Sequence, residues 1–154
     1  MMDFLFLGTA VFIALLTPKT SQYKLINYIL VADFAVFIGA DFLVIASGVA
    51  DGAHIDAYKG VLYFMFYVLY MHAGGQYLAK LSALMVVYHV VRSFSYIFGS
   101  ELILSYDYSV IMGIVCCLYL LVGFAGMMYG IIHRSDVISS RSRIDSSGST
   151  RCHH

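Results

Sequence analysis

The side chains of this chain that could carry chemistry are ionisable groups inside long apolar stretches. Asp33 and Asp41 lie in the stretch 25–50, and His89 and Arg92 lie in the stretch 76–98. The two aspartates are eight positions apart, about 80° around a helix, so both can point into one interface. Buried charges of this kind either form an ion or proton path or fix the packing of helices through ion pairs and hydrogen bonds.

The composition indicates that these stretches lie in a membrane. The 154 residues are 61% hydrophobic and 12% charged, and the mean hydropathy is +0.84. A soluble domain has about 45–50% apolar and 25% charged residues, so this chain has too few charges for a water-exposed surface. The formal net charge is zero, which does not indicate a nucleic-acid partner.

The apolar pattern predicts an all-α, polytopic transmembrane bundle with five spans, at about 2–16, 25–50, 60–73, 76–98 and 109–133. The stretch Gly60–Phe98 would form a helix of about 57 Å, longer than the hydrocarbon core of about 30 Å. It must therefore break, and Gly74 and Gly75 predict a hairpin turn. Residues 51–60 are predicted to form a polar loop, and the Ser- and Arg-rich tail 134–154 is predicted to be disordered.

The positions of the basic residues favour five spans over four. With five spans and the N-terminus outside, the cytoplasm receives Lys19, Lys24, Lys80 and the four arginines of the tail. Four spans remain possible if the segment 76–98 lies flat at the interface. In the five-span arrangement Asp41 and Arg92 have similar depth, and we expect them to form an ion pair.

Three glycines, Gly123, Gly126 and Gly130, occur in the last span, and the second and third form a G-x-x-x-G motif. In lipid this spacing allows two helix backbones to approach closely. The motif predicts a helix-packing surface, either within the monomer or between subunits.

The sequence does not indicate an enzyme. It contains no P-loop, no G-x-S-x-G, no H-E-x-x-H and no dinucleotide-binding fingerprint. The three cysteines, of which two are adjacent in an apolar run, do not form a disulfide framework. We therefore expect no catalytic residue, no cofactor and no metal site.

The small size, the several short spans, the Met1-Met2 start and the basic tail are together similar in kind to phage holins. This resemblance of architecture implies a protein of the inner (plasma) membrane or a viral membrane, and the positions of the basic residues predict a cytoplasmic C-terminus. It would oligomerise and permeabilise or remodel the bilayer, as holins and viroporins do.

One alternative is an ion- or proton-translocating subunit that uses the intramembrane aspartates and Arg92. A further alternative is a non-catalytic accessory subunit of a membrane complex. The expected partners are the lipid bilayer and either a second copy of the chain or another membrane protein.

Overall fold

The fold of the described residues is a bundle of five helices. The computed structural model describes residues 2–48, 52–98 and 108–148, and the side chains of residues 4–48, 52–98 and 110–134. The helices are α1 (Met2–Leu16), α2 (Tyr23–Ser47), α3 (Gly52–His72), α4 (Gln76–Phe98) and α5 (Tyr108–Gly148). The prediction of an all-helical bundle is confirmed.

Consecutive helices run antiparallel, as their contacts show. Phe4 near the start of α1 packs against Phe42 near the end of α2, with ring centroids 6.3 Å apart. At the other end of the bundle, Thr17 after α1 contacts Asn27 in α2. Consecutive helices of the described part therefore cross the bundle in alternating directions.

We call the end that contains the α1–α2 loop and the α3–α4 turn the basic end. The described basic residues here are Lys19, Lys24, Lys80 and Arg134. The end of α2 and the starts of α3 and α5 lie at the opposite end. Charge is thus distributed unequally along the bundle axis.

Within the described residues, three segments are long and apolar enough to cross a membrane: Tyr23–Ser47, Gln76–Phe98 and Val110–Arg134. Phe4–Leu16 is a shorter apolar helix. Large apolar side chains are exposed on the outside of the bundle, among them Leu5, Leu43, Ile45 and Phe98. An apolar exterior around a helical bundle is what contact with lipid requires, so the chain is a membrane protein.

The α3–α4 connection is a tight turn at the predicted glycines. Gly74 has a φ of 78°, in the left-handed region where glycine ends many helices. The Gly75 N–H donates to the Tyr70 carbonyl oxygen at 2.8 Å, which closes the end of α3. The turn allows α3 and α4 to pack along their whole length.

Two predicted segments have a different structure from the one expected. Residues 52–60 were predicted as part of a polar loop, but α3 begins at Gly52 and includes them. Asp56 and Lys59 of this segment belong to a buried helix face, so their polarity does not mark a loop. The tail was predicted to be disordered from residue 134, whereas α5 continues to Gly148. No glycine or proline interrupts residues 131–147, and extending an existing helix is easier than nucleating one. Residues 149–154 lie outside the described part.

Candidate functional site

The first polar group of the interior is an ion-pair cluster of α2, α3 and α4, formed by Asp41, Asp56, Lys59, His89 and Arg92. Asp56, on the second turn of α3, is its centre and is only 4% exposed. Its Oδ1 lies 2.8 Å from His89 Nδ1, and its Oδ2 accepts a hydrogen bond from Arg92 Nε at 2.9 Å. A carboxylate only accepts hydrogen bonds, so His89 Nδ1 carries the hydrogen. Both oxygens of the Asp56 carboxylate thus accept hydrogen bonds from side chains of α4.

Hydrogen bonds within α4 hold the guanidinium of Arg92 in place. Tyr88 and Tyr96 lie one helical turn before and after Arg92, on the same face. Arg92 Nη1 donates to the Tyr88 hydroxyl, and Nη2 donates to the Tyr96 hydroxyl, each at 3.2 Å. All three nitrogens of the guanidinium therefore have acceptors, and the side chain is fixed in one geometry.

A second ion pair joins α3 to α2 in this cluster. Lys59 Nζ lies 2.8 Å from Asp41 Oδ1; the lysine side chain is 11% exposed and the aspartate side chain 50%. The predicted pair of Asp41 with Arg92 is therefore corrected: Asp41 pairs with Lys59, and Arg92 pairs with Asp56. Depth alone allowed either arrangement, and the packing of α3 between α2 and α4 decides which one forms.

A cavity of about 210 Å³ opens beside the ion-pair cluster. Its lining is Gly52, Ile55, Asp56, Lys59, Arg92 and Tyr96. A water molecule in the liquid occupies about 30 Å³, so this space beside the ion pairs is large enough for several waters. It would give the ion pairs a solvated side toward the end of the bundle opposite the basic end.

The second polar group, which we call the Asp33 centre, consists of Asp33, Tyr70, Ser82 and Tyr119, one residue from each of α2 to α5. Asp33 is 4% exposed, and its Oδ2 accepts a hydrogen bond from the Tyr70 hydroxyl at 2.9 Å. The ring of Tyr119 packs against that of Tyr70 with centroids 6.2 Å apart, and its hydroxyl lies 2.6 Å from Ser82 Oγ. Among the described residues, no lysine, arginine or histidine forms an ion pair with Asp33.

An aromatic layer separates the two polar groups. Phe37 of α2 packs against Tyr63 and Phe66 of α3, with centroids 4.4 Å and 6.3 Å apart. Tyr63 also stacks on His89 at 5.4 Å, so the layer borders the ion-pair cluster directly. From Lys59 to Tyr70 the helix rises by about 16 Å, which is the approximate distance along the bundle axis between the two groups.

The glycines of α5 pack inside the monomer. A Cβ atom on Gly123 would lie 2.7 Å from Leu30 Cδ2, and one on Gly126 would lie 2.8 Å from Tyr23 Cδ1. A Cβ on Gly130 would lie 2.7 Å from Ser21 Oγ. Of the two alternatives given by the sequence, the structure places this surface against α2 and the α1–α2 loop. Asn27 adds a polar contact there, because its Nδ2 donates to the Gly123 carbonyl oxygen at 3.3 Å.

Sequence reasoning found Asp33, Asp41, His89 and Arg92 but missed their partners in α3. The signal was present: Asp56, Lys59, Tyr63, Phe66 and Tyr70 recur every three or four residues, and all are buried. This period marks one face of a single helix that continues through the predicted loop. Within the described residues, no group of three His, Cys, Asp or Glu side chains could hold a metal ion.

Comparison with other proteins adds no functional assignment. The chain matches no family model, no curated protein and no solved structure. The two polar groups themselves are therefore the features that bear on function.

Proposed function

We propose that this chain is an ion- or proton-translocating membrane subunit in which Asp33 is the group that takes up and releases a proton. The observation that carries the proposal is the environment of Asp33. Its carboxyl is buried in an apolar span, and its hydrogen-bond partner is the neutral Tyr70 hydroxyl. A charge at membrane depth costs about 2.5–3.5 kcal/mol by the translocon scale, so an intramembrane carboxyl without a cationic partner favours a functional role.

A carboxyl in this position is stabilised by a proton or by a small cation that accompanies it. The hydroxyls of Tyr70, Tyr119 and Ser82 lie in the same layer of the bundle. Each hydroxyl both donates and accepts hydrogen bonds, as a proton-exchanging group requires of its neighbours. The centre thus brings together a site for the proton and side chains able to pass it on.

The proposed topology has five passes, with the N-terminus outside and the C-terminus in the cytoplasm. Two features support it: the helices alternate in direction, and the α1–α2 loop and the α3–α4 turn lie at the basic end. α3 has 21 residues and is about 32 Å long, enough to cross the hydrocarbon core. The positive-inside rule then directs the basic end to the cytoplasm.

The test is proton flux into liposomes that contain the purified protein, driven by a pH gradient and read with an entrapped pH-sensitive dye. Asp33→Asn should abolish flux while monomer size and helix content stay unchanged. The matched control is Asp41→Asn, the same substitution on the same helix, which should retain most of the flux. Wild-type flux in the Asp33→Asn protein would overturn the proposal.

The predicted holin- or viroporin-like function is the alternative that the same liposomes distinguish. A permeabilising oligomer needs a polar face that the monomer leaves exposed to line the opening. Here Asp33, Asp56 and His89 are buried inside one bundle, which favours translocation within the monomer. Release of a large entrapped dye, independent of Asp33, would instead support permeabilisation. Absence of both signals would overturn the translocation proposal and favour the accessory-subunit alternative.

A further inference from the structure

The basic end of the bundle contains a second and larger cavity, remote from the Asp33 centre. Its volume is about 670 Å³, within the range of small-molecule sites. It lies between the α1–α2 loop and α5, and its lining is Thr20, Ser21, Gln22, Tyr23, Tyr129, Gly130, His133 and Arg134. The translocation proposal does not use any of these residues.

The chemistry of this cavity is that of an anion site. Arg134 offers a planar guanidinium that matches phosphate geometry, and His133 adds a ring N–H donor. Thr20 and Ser21 contribute hydroxyls from the facing loop. None of the lining residues that the structure describes carries a carboxylate.

The cavity is built by close packing of the loop against α5. Gly130 allows this approach, because a Cβ there would meet Ser21 Oγ at 2.7 Å. Tyr129 packs edge-on against Tyr23 at 5.6 Å and stacks on His133 at 5.4 Å, which fixes the wall of the cavity. Lys24 Nζ, on the first turn of α2, donates hydrogen bonds to the carbonyl oxygens of Ala14 and Thr17, at 2.6 Å and 3.0 Å.

The position of the cavity along α5 indicates which anion could reach it. Ile131 and Ile132 are exposed apolar residues, and the polar residues His133 and Arg134 follow immediately. This change marks the boundary between hydrocarbon and headgroups, where tyrosines are also enriched. We propose that the cavity binds a phosphate-bearing anion, and that the headgroup of an anionic phospholipid occupies it.

The test compares binding of phosphatidylglycerol and phosphatidylcholine to the full chain in detergent, by native mass spectrometry over a lipid titration. Phosphatidylglycerol should bind more tightly. Arg134→Gln should weaken its binding roughly tenfold, the effect of losing one charge-assisted hydrogen bond. The matched control is Lys80→Gln, which removes the same charge at the same end, outside the cavity lining, and should change binding less than about twofold.

A third arm adds inorganic phosphate at millimolar concentration. Displacement of the lipid by phosphate, lost in Arg134→Gln, would support the site but identify a soluble phosphate as a competing occupant. Equal weakening by Arg134→Gln and Lys80→Gln would show only diffuse attraction to the basic end and would overturn the proposal. Equal binding of both lipids would also overturn it. His133→Gln provides a second variant for the same comparison.

Discussion

Asp33 and Asp56 are equally buried, each 4% exposed, but their surroundings are opposite in kind. Asp56 contacts His89 and Arg92, and both of its oxygens are hydrogen-bonded by these side chains. Asp33 has the neutral hydroxyl of Tyr70 as its hydrogen-bond donor. Burial is therefore the same, and the difference lies in whether a positive charge accompanies the carboxylate. The role of an intramembrane aspartate therefore depends on its partners and not on its depth.

The two surroundings predict opposite consequences of removing the negative charge. At Asp56, neutralisation leaves Arg92 without its carboxylate inside the bundle, so stability should fall. At Asp33, neutralisation removes a charge that pairs with no cationic side chain of the described residues, so stability should be preserved while translocation is lost. The predictions below test this difference, beginning with the largest expected effect.

Asp56→Asn should destabilise the protein by about 3–5 kcal/mol, the typical result of breaking a buried ion pair from one side. The measurement is the midpoint of thermal denaturation in detergent, followed by circular dichroism. Asp41→Asn is the control, since its half-exposed carboxylate should contribute about 1 kcal/mol or less. A denaturation midpoint of Asp56→Asn equal to that of the wild type would contradict the assignment of the cluster to stability.

The double variant Asp56→Leu with Arg92→Leu should regain about 2 kcal/mol or more of the stability that either single leucine variant loses. Apolar residues of similar volume often replace a buried ion pair without net loss, because no uncompensated charge remains. The same denaturation assay on the four proteins forms a double-mutant cycle. Losses that simply add would show that the pair is not coupled.

Tyr70→Phe removes the hydroxyl that donates to Asp33 and should cost about 1–3 kcal/mol if the carboxyl is left without a donor. It should also lower proton flux, because the carboxyl loses its hydroxyl partner. The control is Tyr67→Phe, one turn earlier on α3 and only partly buried. An unchanged midpoint and an unchanged flux in Tyr70→Phe would show that the hydrogen bond is dispensable for both properties.

Asp33→Asn should change stability by less than about 1 kcal/mol, the smallest effect of the series, because the amide oxygen still accepts from Tyr70. The informative result is the contrast with Asp56→Asn under identical conditions. If Asp33→Asn were as destabilising as Asp56→Asn, the Asp33 centre would be a structural group as well, and the distinction between the two regions would fail.

Much of the architecture follows from local sequence. The bounds predicted for the first and fourth helices, 2–16 and 76–98, are those of α1 and α4. Pro18 and the Gly74–Gly75 pair mark the turns because each opposes helix formation through its own backbone. These features depend on a few neighbouring residues, so they are readable without knowledge of the rest of the fold.

The segment 52–60 was misread because polarity was taken as a sign of solvent. Asp56 and Lys59 lie on a buried helix face, and their charges are tolerated there because α4 and α2 supply ion-pair partners. The helical period was visible, but a short polar stretch beside glycines also fits a loop. Only the contacts across the hairpin distinguish the two.

The sequence by itself determined that this is a helical membrane protein, where the first and fourth helices begin and end, and that its basic residues are unevenly distributed. Apolar runs, helix breakers and charges along the chain contain that information directly. The tertiary structure alone decided that Asp41 pairs with Lys59, that Arg92 pairs with Asp56, and that the Tyr70 hydroxyl donates to Asp33. Pairing depends on how each helix is rotated about its axis and on which helix lies between two others. Those relations are set by packing of the whole bundle, and no local pattern specifies them.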